Sequence, residues 1–90
     1  MNTPHIPQGY MQPDTTVIRE YIQGTILNDT AESITDDQDL LLSGLLDSMS
    51  VIRLVTWLEG TFAIKIPPED VLVENFGSLN QMVAYMQQRL

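Results

Sequence analysis

An all-α fold is what this chain predicts: a bundle of three longer helices and one short helix. Three observations predict it. Apolar residues recur at helical spacing in three separate stretches. Helix-start signals stand directly before those stretches. No stretch alternates apolar and polar residues as a half-buried strand does, and no internal repeat is present.

Residues 1–13 hold Pro4, Pro7, Gly9 and Pro13 without usable periodicity, and are expected to form a flexible tail. The remaining residues, 14–90, form one domain, since ninety residues leave no room for a second core. Asp14 can cap a first helix running to about Leu27, with Ile18, Tyr21, Ile22 and Ile26 as its apolar stripe and Val17 and Leu27 widening it. Asn28 to Asp47 is long for a connection in a small domain. Its Ile34, Leu40, Leu41, Leu42, Leu45 and Leu46 require it to fold back over the core, with room for a short helical turn. A second helix is expected from Asp47-Ser48 to about Thr61, facing inward through Val51, Leu54, Val55, Leu58 and then Phe62. Pro67-Pro68-Glu69-Asp70 reads as the start of a short third helix ending near Val73. Ser78 and Gln81 match a capping box for a last helix, whose inner stripe is Leu79, Met82, Val83, Met86 and Leu90.

Composition narrows the function. Twelve acids against four bases give a net charge of −8. A field of that sign repels phosphate backbones and anionic lipid heads, so neither nucleic acid nor membrane is an expected partner. The longest apolar run falls far short of the roughly 20 residues that a membrane span needs. No basic n-region leads into an apolar h-region at the N-terminus, so a cytoplasmic protein is expected. With no cysteine, thiolate nucleophiles and Cys-ligated zinc are excluded. The single histidine, His5, lies in the expected tail, a poor place for a Ser–His pair. No catalytic residue and no metal site are expected, and any thiol this protein uses must come on a cofactor.

The informative segment is Gly44-Leu45-Leu46-Asp47-Ser48-Met49. Asp47 is placed to cap the second helix, which leaves Ser48 at its first position. There the unpaired amides and positive dipole end of a helix favour an anion, such as a phosphate esterified to the hydroxyl. Asp-Ser alone is equally consistent with an ordinary helix cap.

The wider pattern says more. From Asp36 to Leu90 the chain resembles the phosphopantetheine-binding carriers, which include acyl, peptidyl and D-alanyl carrier proteins. Four segments carry the resemblance in order. They are the Asp47-Ser48-Met49 attachment motif, the helix from Val51 through Leu58-Glu59 to Phe62, the Ile64-Lys65-Ile66-Pro67 connector, and Asn75-Phe76-Gly77-Ser78-Leu79 at the entry to the last helix. The resemblance implies that Ser48 carries a covalent 4'-phosphopantetheine arm. A separate phosphopantetheinyl transferase would move that arm from coenzyme A with Mg²⁺ as helper. The terminal thiol would hold an acyl or aminoacyl thioester, to be loaded and processed by partner enzymes. The chain itself would catalyse nothing, and its work would be effective concentration and delivery.

The outward side of the second helix refines this expectation. Met49, Ile52, Arg53, Thr56 and Glu59 are expected to face out, a mostly apolar and nearly neutral surface. Arg53 stands where fatty-acid-type carriers usually have an acid. Met49, Ile52, Arg53 and Thr56 are therefore the candidate docking residues, relying on apolar contact more than on charge steering. Trp57 is expected to be a partly buried packing residue. Gly-Leu-Leu-Asp-Ser is more similar to D-alanyl carriers and stand-alone aminoacyl or peptidyl carriers. It points to an adenylating or other acyl-loading enzyme and to downstream acyl- or peptidyl-processing enzymes, in secondary metabolism or aminoacyl transfer. A fatty-acid-type carrier and a helical interaction adaptor, with Ser48 as a mere cap, are the alternatives. No large apolar stripe is left unassigned, so a monomer is expected.

Overall fold

In the computed structural model, residues 12–28 and 33–89 are described. Most of the expected tail, and Leu90 of the last stripe, lie outside the described residues. Pro13, where the tail was expected to end, is buried. All regular structure among the described residues is helical: α1 (Thr15–Tyr21), α2 (Ser48–Phe62), α3 (Val73–Phe76) and α4 (Leu79–Gln87).

Asp14 caps α1 by accepting the Thr16 amide at 2.7 Å. The helix then widens into a π-helical segment, Ile22–Ile26, without breaking. Ile18 and Ile22 are fully buried as the stripe requires, and the wider turn also places Gln23 inside. α2 runs one residue past its expected end. It buries Leu54, Leu58 and Phe62 and half-buries Val51 and Val55. It stops at Ala63, which takes the left-handed conformation (φ 55°) usual for a helix C-terminus and more often adopted by glycine.

The long connection folds over the core, as its leucines require. Leu40 and Leu46 are buried, and Ile34 joins them. Leu42 and Leu45 instead face solvent. Turns, with no helix, occupy residues 33–47. The segment is pinned by backbone bonds from Leu40 N–H to Gly77 C=O (2.7 Å) and from Asn80 N–H to Asp36 C=O (2.9 Å). Arg19 adds an ion pair to Asp36 and donates to the Ile34 carbonyl.

The third helix departs from its expected bounds. Pro68–Asp70 form only a single 3₁₀ turn, and the short α-helix comes later, at Val73–Phe76. Val71 leaves helical geometry (φ −83°, ψ 79°), and Leu72 N–H folds back onto Asp70 C=O. Two prolines and two acids start a turn well, but the Asp70 carbonyl is taken by the Leu72 amide and by Asn75 Nδ2–H, so no helix is propagated through Val71. α4 begins as expected, with Ser78 Oγ accepting the Gln81 amide at 3.2 Å. Leu79, Met82 and Met86 are fully buried; Tyr85, absent from the expected stripe, is buried beside Phe76. Among the described residues, no helix is long and apolar enough to cross a membrane.

Candidate functional site

Ser48 is the first residue of α2 and is exposed. The residues before it fix that position. Asp39 organises a turn by accepting the Leu41 and Leu42 amides. Gly44 closes it at φ 81°, a value that glycine reaches without strain. Leu46 then plugs into the core, and its amide bonds to Leu40 C=O at 2.9 Å. With Leu46 anchored below, the next two residues emerge at the surface.

Asp47 caps α2 as its place in the motif predicts. Its carboxylate accepts the Ser50 amide at 2.8 Å, and its carbonyl accepts the Val51 amide at 2.9 Å. The Ser50 amide, followed by the Ser50 hydroxyl, holds the Asp47 carboxyl below the ordinary carboxylate range. Ser48 therefore directly follows a fixed cap and is exposed at the positive end of a helix of 15 residues.

The expected docking residues share one strip. Met49, Ile52, Arg53 and Thr56 follow one another at i, i+3, i+4 and i+7, and all are exposed. Met49 is 67% exposed and Ile52 58%, high values for apolar side chains beside a candidate modification site. Trp57, next to the strip, is half-buried and stacks on Tyr21 with ring centroids 4.1 Å apart. A second ring contact is edge-on to Phe62, and the stacking on Tyr21 packs α2 against the end of α1.

Glu59 does not join that outward surface. It is half-buried, and its carboxylate accepts the Ile66 amide at 2.8 Å across the helix end. This bond draws the connector alongside α2 and leaves an open groove of about 670 Å³ between them. Val51, Ile52, Val55, Thr56 and Glu59 line one wall. Counted from Ser48 they stand at +3, +4, +7, +8 and +11, so Ser48 heads the helical stripe that forms the wall. Ile66, Pro67, Pro68 and Val71 form the apolar part of the other wall, with Lys65 at its end. The register from Ser48 was present in the sequence, but nothing in it showed that the connector would turn back along the same face.

The phosphopantetheine attachment site family matches residues 16–86. The D-alanyl carrier protein of Lactococcus lactis subsp. cremoris (strain MG1363) is 40% identical over 53 residues, which cover 59% of this chain and 67% of that one. That of Streptococcus suis (strain 98HAH33) is 33% identical over 67 residues, 74% of this chain and 82% of that protein. A third, from Streptococcus pyogenes serotype M1, is 32% identical over 73 residues, 81% and 89% of the two chains.

Proposed function

The chain belongs to the phosphopantetheine attachment site family of carrier proteins, and from that premise we propose that it is a stand-alone aminoacyl or peptidyl carrier with Ser48 as its attachment residue. Members of this family carry covalent 4'-phosphopantetheine and are substrates of other enzymes, without catalysing the reactions themselves. The observation that carries the reading is the exposed Ser48 hydroxyl at the first position of a capped α2. Its phosphodiester would sit at the positive end of the helix.

The residues present fit the arm. Ser48 is open to a transferase, and the stripe it heads leads into an open groove that is mostly apolar. Bound, the arm supplies a thiol, which this cysteine-free chain lacks. Asp47 holds the first turn of α2 in place, which fixes the backbone position from which the Ser48 side chain extends. A phosphopantetheinyl transferase and a loading enzyme are the partners that such a carrier needs.

Two features favour an aminoacyl cargo. The relatives reported above are D-alanyl carriers, matched over as much as 89% of their length. The α2 docking strip carries two exposed apolar side chains, Met49 and Ile52, with polar Thr56 and one cation, Arg53, and suits an adenylating ligase that docks by apolar contact more than by charge.

Intact-protein mass spectrometry tests the attachment. Incubation with coenzyme A, Mg²⁺ and a broad-specificity phosphopantetheinyl transferase is expected to add one phosphopantetheinyl group. Ser48→Ala is expected to add none. A wild-type mass unchanged by a transferase that modifies another carrier in the same tube would exclude the reading.

A further inference from the structure

We infer that the end of the groove remote from Ser48 is a recognition site for the α-ammonium group of an aminoacyl cargo, with Glu59 as the selecting residue. This rests on the carrier reading and adds to it the side chain that distinguishes cargo classes.

The first ground is length. Ser48 and Glu59 are eleven residues apart on one straight helix, a rise of roughly 16 Å. The arm runs through about fourteen bonds from Ser48 Oγ to its sulfur, and an extended chain advances roughly 1.2 Å per bond, giving about 17 Å. An arm lying along the stripe of Val51, Ile52 and Val55 thus brings its thioester level with Glu59. The α-nitrogen of an aminoacyl group follows the sulfur by three bonds, and a slight bend in the arm keeps it beside the carboxylate.

The second ground is the chemistry of that end. Most of the groove is walled by aliphatic and proline side chains, whereas the remote end carries Thr56, Glu59 and Lys65. Glu59 is half-buried and held in place by the Ile66 amide on one oxygen. A carboxylate offers about four acceptor sites, so capacity for an ammonium donor is left. Lys65 is exposed at the end of a flexible stem and its ammonium can swing to water, whereas Glu59 is fixed. A fixed, partly desolvated carboxylate favours a cation over a neutral group. A long alkyl chain at the same place would meet both charges and gain nothing from them.

The test uses one matched pair of cargoes. The ¹⁵N-labelled protein is loaded on Ser48, by a phosphopantetheinyl transferase, from coenzyme A analogues carrying hydrolysis-resistant alanyl or propionyl amides. The two differ only in the α-amino group. The Ile66 amide, bonded to Glu59, is the reporter. The alanyl form is expected to shift the Ile66 and Glu59 amides and to populate the groove about threefold more than the propionyl form, the size of a partly screened ion pair. The difference should shrink at high salt. Glu59→Gln keeps an acceptor for Ile66 and is expected to make the two forms equivalent. Equal Ile66 shifts in the alanyl and propionyl forms of the wild type would overturn the inference. So would an alanyl preference that survives in Glu59→Gln. Failure of Ser48 to accept either analogue would instead remove the carrier reading beneath it, an outcome that mass spectrometry reports separately.

Discussion

Tyr85 donates its hydroxyl to Asp70 at 2.7 Å, joining α4 to the turn that continues the groove wall. Arg89 strengthens the junction: it stacks over the Tyr85 ring, approaches Asp70 and donates to the Lys65 carbonyl. Burial first, and the bond to Asp70 second, push the Tyr85 hydroxyl up to about 12. A raised acid disfavours ionisation in the folded state. Its contribution is therefore complete below the ordinary tyrosine value of about 10, and is lost as pH rises towards 12. Unfolding free energies from denaturant titrations across that window should fall by up to about 1.4 kcal/mol per pH unit. Tyr85→Phe is expected to cost about 0.5–1.5 kcal/mol at neutral pH and to flatten the alkaline slope. An equal slope in both proteins would assign it to other groups.

Asp47 predicts the opposite pH behaviour. Its carboxyl is held low by the Ser50 amide and hydroxyl. A depressed acid stabilises the fold above its unfolded value of about 4, and that contribution disappears as pH falls through the folded value. Acidification should therefore loosen the first turn of α2, where Ser48 stands. Amide exchange at Ser50 measures this directly: protection is expected to drop on acidification in the wild type and to become nearly pH-independent in Asp47→Asn, which keeps an acceptor but does not titrate. A flat wild-type profile would show that the cap does not depend on the charge.

The difference between what could be read in advance and what could not lies in the range of the interactions. Asp14, Asp47 and Ser78 cap the helices they precede because a cap acts over two or three residues. The apolar stripes of α1, α2 and α4 follow a local periodicity and were equally plain. The third helix was misplaced because its start signal was real but its continuation was settled elsewhere, by Asn75 Nδ2–H bonding Asp70 C=O and Tyr85 bonding the Asp70 side chain. The groove was hidden for the same reason. Glu59 looks like any solvent-facing acid of an amphipathic helix until Ile66 is seen to turn its amide towards it.

Gly77 offers a steric prediction. A Cβ at this position would come within 2.5 Å of the Val73 carbonyl oxygen and 2.8 Å of Gln81 Oε1. The carbonyl belongs to α3 and cannot move freely, since it accepts the Gly77 amide at 2.8 Å. Gly77 C=O also holds Leu40, so the displacement reaches the long loop before Ser48. Gly77→Ala is expected to cost about 1–3 kcal/mol in urea denaturation. Gly60→Ala is the control. It lies in α2 with open space around a new Cβ, and should be neutral or stabilising by up to about 1 kcal/mol. Equal effects of the two substitutions would remove the steric account.

The docking strip separates from the groove at Met49. Ile52 lines the groove as well as facing outward, so a change there disturbs both surfaces. Met49 is exposed on the strip and does not line the groove. Both are too exposed for a charge to unfold the protein, and Met49→Glu and Ile52→Glu should each move stability by less than about 0.5 kcal/mol. Each should still accept the arm on Ser48. Their loading by an adenylating ligase is expected to fall about tenfold in kcat/KM, the loss of one desolvated apolar contact. Arg53→Glu should act differently, altering the salt dependence of loading more than its rate at high salt. Side-by-side loading kinetics at low and high salt distinguish the two modes. If Met49→Glu loads like the wild type while Arg53→Glu fails at every salt concentration, docking is governed by charge and the apolar strip is not the contact surface.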